Sequence, residues 1–350
     1  MKHLSLSTTP TEAQWNSVIR SASNPHFNQT WEWGEFYGMM PGIHPIRLLA
    51  MEGEKPIAML QAFEWKKGPL SLGITSGGAG EGGGPVFVKT IDRDTEIRCY
   101  QSLIATLFRI FKEKKSLRFL LYTFPGDELP APDISAKTGI KSTPILRLQE
   151  SEELFLQSLG HEGRWEQTIG IKRGLKIMEG GRHDLQEYCE IQHAVALAKK
   201  LNTKHMNTLR EWEKLWDICS KKPGTIRFYI GKKDEKMVGA LIVLYYGDTF
   251  FLRGAVSNPE GKKLLVNNAL YGRAIIDGIR DGYVFCNMTG GTRDTHDPIY
   301  GITAFKLSFR SELVDFRRYS AIGNRYINYA VEKIRRLFGY NLWFPLPIYP

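Results

Sequence analysis

Apolar and polar positions alternate along this chain in two stretches that resemble each other. The string EGEKPIAMLQAF at 52–63 sets a charged turn before an alternating run and predicts a turn followed by a strand. KDEKMVGALIVL at 233–244 predicts the same pair again. Aligning Glu54-Lys55 with Glu235-Lys236 places Ile57 on Val238, Ala58 on Gly239 and Leu60 on Leu241. The segments downstream of the two strings are also alike. After the first come a strand near 70–75, the glycine-rich loop SGGAGEGGGP (76–85), a helix around 94–115 and a buried strand, LRFLLYTF at 117–124. The helix shows Ile97, Tyr100, Ile104, Leu107 and Phe111 on one face. After the second come the strand TFFLRGAV (249–256), a loop, a helix around 263–281 and YVFCNM at 283–288. Each half reads hairpin, loop, helix, strand, which suggests a duplicated α/β module. The alternative is coincidence between two common hairpin patterns.

Ser151, with Glu152 and Glu153 behind it and Leu154 three residues on, reads as a capped helix start and sets the domain boundary near 150. The expected domains are 1–155 and 156–350. Past 320, NRYINYAVEKIRRLFGY interleaves Tyr326, Tyr329, Ile334 and Leu337 with charge, which predicts an amphipathic helix over about 321–338 that returns to the first domain. FPLPIYP then closes the chain without regular structure.

Composition adds limits. A chain of 350 residues with 42% hydrophobic and 24% charged positions has enough apolar surface for two cores. The four cysteines, Cys99, Cys189, Cys219 and Cys286, lie far apart and form no CxxC pair, which argues against a zinc ribbon or a disulfide scaffold and suits a reducing compartment. The start of the chain lacks the apolar stretch of a signal peptide, and the longest strongly apolar run, ALIVLYY at 240–246, is too short to span a bilayer. The expectation is a soluble, cytoplasmic protein. A net charge of +10 favours polyanionic partners: nucleic acid, phosphorylated substrates or an anionic membrane face. A solvated basic surface is the plainer alternative.

Several stretches could carry chemistry. The loop at 76–85 could present backbone N–H groups to a phosphate, although neither GxGxxG nor GxxxxGK[ST] is present. Its glycines could equally serve a bulge or a close backbone approach. TGGTRDTHDPIYGI at 289–302 carries Arg293, Asp294, His296 and Asp297, and reads as a polar loop rather than a convergent metal set. Gly290-Gly291, directly after a strand, lets backbone groups face a cleft. WEQTIGIKRGLKI, preceded by Arg164, holds Lys172, Arg173 and Lys176, suited either to phosphates or to a solvated helix face. No serine–histidine–acid or cysteine–histidine set stands out, so an enzyme here would position two substrates rather than form a covalent intermediate. FNQTWEWGEF at 27–36 packs Phe27, Trp31, Trp33 and Phe36 around Gln29, as a core or as a binding wall. In GITAFKLSF (301–309) a lysine sits inside an apolar run: a strand lysine snorkelling from an edge, or a charge held at the floor of a cleft.

Taken together these stretches resemble the Fem-type peptidyltransferase family and its acetyltransferase-like relatives. FNQTWEWGEF is similar to that family's Phe-x-Gln-Ser/Thr-x-x-Trp entry, on Phe27, Gln29, Thr30 and Trp33. GGGPVF at 82–87, with Gly83 and Gly84, resembles its Gly-Pro strand start. RWEQTIGIKRGLKI resembles the helix that opens the second domain, on Arg164, Ile169 (shifted by one position) and Gly174. NNALYGRAIIDGIRDGYVFCNMTGG, containing Asn268, Gly290 and Gly291, resembles its helix, strand and Gly-Gly segment, and GITAFK its Phe-Lys signature on Phe305 and Lys306. The resemblance spans nearly the whole chain and implies an α/β (α+β) fold of two tandem GNAT-like domains, acceptor side first and donor side second. It further implies transfer of an aminoacyl or acyl group from an activated ester to an amine of a cell-envelope precursor such as a peptidoglycan-type peptide. The implied co-substrate is an aminoacyl-tRNA, with no tightly bound cofactor and no metal. Lys306 would stabilise charge on the tetrahedral intermediate, and Phe305 would shape the channel. Gln29, Trp33, Tyr37, Gly83, Gly84, Arg164, Asn268, Gly290 and Gly291 would line the substrate path.

The sequence departs from that pattern in three places. Tyr37 stands where some members carry a lysine for acceptor phosphates. Residues 200–224 have room only for short helices, not for the long helical arm of some members. The coenzyme A signature of ordinary acetyltransferases is replaced by SNPEGKKLLVNNAL, whose Lys262 and Lys263 could meet a tRNA or cofactor phosphate at a helix start. Two rival readings remain: a transferase using an acyl-CoA or carrier-protein thioester, and a non-catalytic duplicate that only binds a partner.

Overall fold

The computed structural model describes residues 4–324 apart from 24, 69, 200–206 and 223, and beyond them only 326, 329 and 333. The chain divides into two compact units. The first runs from the N-terminus to Lys141 and resumes at Asp315; the second spans Ser142–Val314.

The first unit begins with β1 (Leu4–Ser7), α1 (Glu12–Arg20) and α2 (Trp31–Gly38). Next is a meander of β2 (Ile43–Glu52), β3 (Lys55–Lys67) and β4 (Leu70–Thr75). Then come the single turn α3 (Gly78–Glu81), β5 (Val86–Phe87), α4 (Arg93–Glu113), β6 (Arg118–Tyr122) and the start of β7 (Ala136–Arg147). The second unit holds α5 (Glu152–Ser158), α6 (Gly160–Lys172), β8 (Lys176–Glu179), α7 (Leu185–Ala198) and α8 (Leu209–Cys219). Its own meander is β9 (Ile226–Lys233), β10 (Lys236–Tyr246) and β11 (Thr249–Ser257). It closes with α9 (Pro259–Lys263), α10 (Val266–Arg280), β12 (Phe285–Asn287), α11 (Tyr300–Leu307) and the start of β13 (Glu312–Ile322).

Local chemistry explains the main helices. Asp92 accepts the Thr95 N–H at 2.7 Å and opens α4, whose Tyr100, Ile104, Leu107 and Phe111 are buried. Phe111 stacks on Phe119 with ring centroids 5.2 Å apart. This packing requires the glycine at 73 on β4, where a Cβ would lie 2.5 Å from the Phe111 ring. Ser151 accepts the Leu154 N–H at 3.2 Å and starts α5, as the sequence predicts.

Sheet order in the first unit is β1-β2-β3-β4-β6-β13, antiparallel through β4 and parallel between β4 and β6, where α4 makes the crossover. In the second unit the order is β8-β9-β10-β11-β12-β7, antiparallel through β11 and parallel between β11 and β12, with α10 as the crossover. The duplicated module is therefore present in each unit on its own. The last strand of each sheet comes from the other half of the sequence. Arg318–Ile322 of β13 pair with β6, and Ile145–Arg147 of β7 pair with β12. The division of units thus falls within β7 and β13, and α5 belongs to the second unit. Within the expected helix over 321–338, Ala321 and Ile322 end β13; most of the remainder, and the 344–350 tail, lie outside the described residues.

Among the described residues no helix is long and apolar enough to cross a membrane. All four cysteines are free.

Candidate active site

Chemistry-bearing groups of the second unit gather where β11 and β12 part. Their parallel pairing lasts three residues and ends at Phe251 opposite Asn287, while β11 runs on to Ser257. Two irregularities occur there. On β11, Ala240 faces Val256 and Ile242 faces Arg253, so Gly254 and Ala255 together oppose Leu241 as a bulge. Gly254 takes φ +58°, and a Cβ there would lie 2.5 Å from the Tyr188 hydroxyl. At the exit of β12, Thr289 and Gly290 are both left-handed, with φ 52° and 49°. A β-branched residue rarely adopts that conformation and holds it only when its surroundings fix it. Here the Thr289 N–H donates to Asn287 Oδ1 at 2.9 Å and its hydroxyl donates to the Leu252 carbonyl at 3.1 Å. Thr143 in turn donates to Asn287 Oδ1 at 3.0 Å.

That backbone turns two successive carbonyls toward Lys306. Its Nζ donates to the Thr289 oxygen and, at 2.8 Å, to the Gly290 oxygen. The stretch Gly301–Phe309 is mainly helical rather than a strand: α11 ends at Leu307. A helix places Lys306 inward with Thr303, and the strand-edge reading of this lysine does not hold. Thr303 also accepts the Thr292 N–H at 3.1 Å, tying the loop after β12 to α11. Phe305 and Phe309 flank Tyr271 of α10, with ring centroids 5.1 and 5.6 Å away.

Lys306 is 4% exposed. Burial alone pushes its pKa down to about 8, and among the described residues no carboxylate opposes that shift. Its place in the last turn of α11 favours the cation, as do the two carbonyls. An ammonium has three N–H bonds, and two are spent on backbone. The third makes no hydrogen bond among the described residues. A buried cation held by neutral dipoles keeps its charge for an incoming group, whereas a salt bridge would neutralise it.

The other sequence-predicted residues of this unit fall around that centre or on the surface. Gly291 bridges to Ser142, and a Cβ there would meet Pro144 at 2.9 Å. Asn268, buried in the first turns of α10, donates to Glu166 of α6 at 3.0 Å. Arg164, Lys262 and Lys263 are exposed. In the 289–302 loop, Asp294 accepts the His296 N–H and Asp297 the Ile299 N–H, so these carboxylates cap turns. Among the described residues no group of three or more His, Cys, Asp or Glu converges on a metal position.

The remaining candidates lie in the first unit and are built into its core. Gln29 is fully buried, donating to the Gly84 carbonyl at 2.7 Å and accepting the Gln61 N–H at 2.8 Å. Trp33 and Tyr37 are 2% and 4% exposed, and their rings contact at 4.8 Å. Gly83 gives its N–H to Thr123 at 3.0 Å, and a side-chain carbon there would fall on the Ser76 carbonyl. The glycine-rich loop thus folds on itself. Gln29→Ala is expected to lose about 1–3 kcal/mol of stability by leaving two buried groups unpaired, read as a lower denaturant midpoint. An unchanged midpoint would mean that Gln29 serves substrate alone.

Sequence reasoning passed over Thr289, Asn287, Tyr271 and Gly254. Gly254 had a signal, since a lone glycine inside a strand marks a bulge. Thr289 had none, because nothing in a threonine announces left-handed backbone. Gly254→Ala is expected to cost about 1–3 kcal/mol from backbone strain, before the Tyr188 clash is counted. A thermal melt equal to wild type would remove the bulge from this account.

No family model matches the chain, and no curated protein matches it. Solved structures do. That of FemX has a TM-score of 0.68 at 14% identity, covering 97% of this chain and 100% of that one. A tandem GNAT protein from the clavulanic acid biosynthesis pathway has a TM-score of 0.56 at 11% identity, covering 92% and 99%. L-PGS from Bacillus licheniformis has a TM-score of 0.56 at 12% identity, covering 94% and 97%. At these identities the likeness establishes the fold: a Fem-type, tandem GNAT-like architecture.

Proposed function

We propose that the protein is an acyltransferase whose second unit moves an acyl group from an activated ester or thioester to an amine. The observation that carries this reading is the buried Lys306 ammonium, held on the Thr289 and Gly290 carbonyls with no carboxylate partner among the described residues. In the reaction the amine lone pair attacks the acyl carbon, a C–N bond forms and the carbonyl π pair moves to oxygen. The third Lys306 N–H meets that oxyanion. Collapse re-forms the carbonyl and breaks the bond to the leaving oxygen or sulfur, which takes up the proton released from the amine. Phe305, packed on Tyr271 next to Lys306 in sequence, would limit water near the lysine, which strengthens its field.

The finer reading comes from the Fem-type sequence resemblance, ending in Phe305-Lys306, with the fold as support. The donor is an aminoacyl-tRNA and the acceptor an amine of a cell-envelope precursor. An acyl-CoA or carrier thioester is the second reading; the missing coenzyme A signature before α10 weighs against it. Incubating purified protein with labelled aminoacyl-tRNA or labelled acyl thioester, each with a panel of amines, tests both. Transfer from tRNA alone supports the first donor and transfer from thioester alone the second. No transfer from either would overturn the reading.

A further inference from the structure

α6 buries one side against α10 and leaves the other bare. Its inner side is set by close approaches: a side-chain carbon at Gly170 would fall on the Leu264 carbonyl, and one at Gly272 on the Gln167 amide. Facing outward at helical spacing are His161, Arg164, Trp165, Thr168, Ile171 and Lys172. Trp165 is 45% and Ile171 53% exposed, and every other described tryptophan is buried or half-buried. Arg173 extends the charge past the helix end, and the turn that Gly170 touches comes directly after Lys262 and Lys263 of α9. None of Arg164, Lys172, Arg173, Lys262 and Lys263 forms an ion pair among the described residues. Arg182, Arg227, Arg273 and Arg280 of this unit are paired, while Arg210, Lys214 and Lys236 are, among the described residues, unpaired like the cations of the patch. Two exposed carboxylates, Glu162 and Glu260, stand among the five cations, so the patch is net positive.

An exposed branched aliphatic on the same helix face as an exposed indole, set among unpaired cations, is poorly matched to a nucleic acid. Phosphates satisfy the cations and a base could stack on Trp165, but Ile171 gains nothing from either. The same set matches the headgroup zone of an anionic bilayer. There indole and aliphatic groups enter the interface while Arg and Lys meet lipid phosphates. We propose that the outer face of α6, with the adjoining lysines of α9, is a peripheral docking surface for an anionic phospholipid bilayer. No step of the transfer chemistry is needed for this contact, so it can be tested separately.

The full chain is sedimented with vesicles of phosphatidylcholine containing phosphatidylglycerol, and with phosphatidylcholine vesicles alone. Binding is expected only to the anionic vesicles and to fall as salt rises. Lys172→Gln with Arg173→Gln should lower the partition coefficient by roughly 30-fold. Trp165→Ser with Ile171→Ser should lower it by about tenfold or more while leaving the salt dependence in place. A thermal melt shows that each exposed-site pair remains folded. Equal binding by either pair and the wild type would overturn the proposal, as would equal binding to neutral vesicles. If the protein ignores both vesicles but binds an RNA homopolymer through Lys172 and Arg173, the surface is a nucleic-acid face and the proposal fails.

Discussion

Replacing Lys306 by alanine is expected to slow acyl transfer by about 100- to 1,000-fold, the usual consequence of removing one donor to a developing oxyanion. The loss should appear in kcat more than in KM, because the ground-state carbonyl carries little charge. Lys306→Arg should not restore the rate. A guanidinium is broader than an ammonium and cannot keep both the Thr289 and Gly290 carbonyls while aiming one N–H at the substrate. Lys306→Ala with a wild-type rate and a wild-type melt would end the assignment.

The second large effect is on stability and its pH dependence. Burial brings Lys306 from 10.5 in the unfolded chain to about 8 in the folded one. Between those values the unfolded chain holds the proton more tightly, so stability rises with pH through the window from about 8 to 10.5. Below pH 8 both states are protonated and the folded state carries the whole penalty of the buried charge, about 3 kcal/mol. Lys306→Met removes that titration. Methionine also leaves the Thr289 and Gly290 carbonyls unpaired, so the slope is the quantity to read rather than the offset. Wild type should gain about 3 kcal/mol on the methionine variant between pH 7.5 and 11, measured by denaturant unfolding. Parallel pH curves would mean that Lys306 is solvated or paired in the folded state.

Under the proposed function, the burial that destabilises the Lys306 cation is also what would make it effective toward an oxyanion. Left-handed Thr289 is strained backbone that the surrounding fold holds, whereas Gly290 and Gly254 take positive φ without that cost.

The local layer of the fold was legible in the sequence. Turn-and-strand strings, the Ile97–Phe111 periodicity and the Ser151 cap depend on neighbours within a few residues, and β4, α4, α5 and β10 lie where those signals place them. Strand exchange was not legible. The pairing of β13 with β6 joins residues nearly two hundred positions apart, and no local string encodes it. In Gly301–Phe309 the run of apolar residues hides the helical period, so the sequence leaves Lys306 open between a strand-edge lysine and a charge at a cleft floor. Aromatic density at 27–36 announced burial but not its purpose; Trp33 and Tyr37 pack on each other and Gln29 ties the glycine-rich loop at Gly84 to β3 at Gln61. Lys306 itself stood out early, first as a charge in an apolar run and then through the Phe-Lys resemblance. Its partners did not, since backbone carbonyls leave no mark in a sequence.

The pH dependence of kcat/KM tests the central claim most directly, using an acceptor amine already neutral at pH 7 so that its own titration does not intrude. If Lys306 acts as a cation, activity falls as pH rises through about 8, and the fall is absent from the residual activity of Lys306→Ala. Activity that instead rises through the same window, with that rise lost in Lys306→Ala, would make the neutral amine a general base and contradict the account.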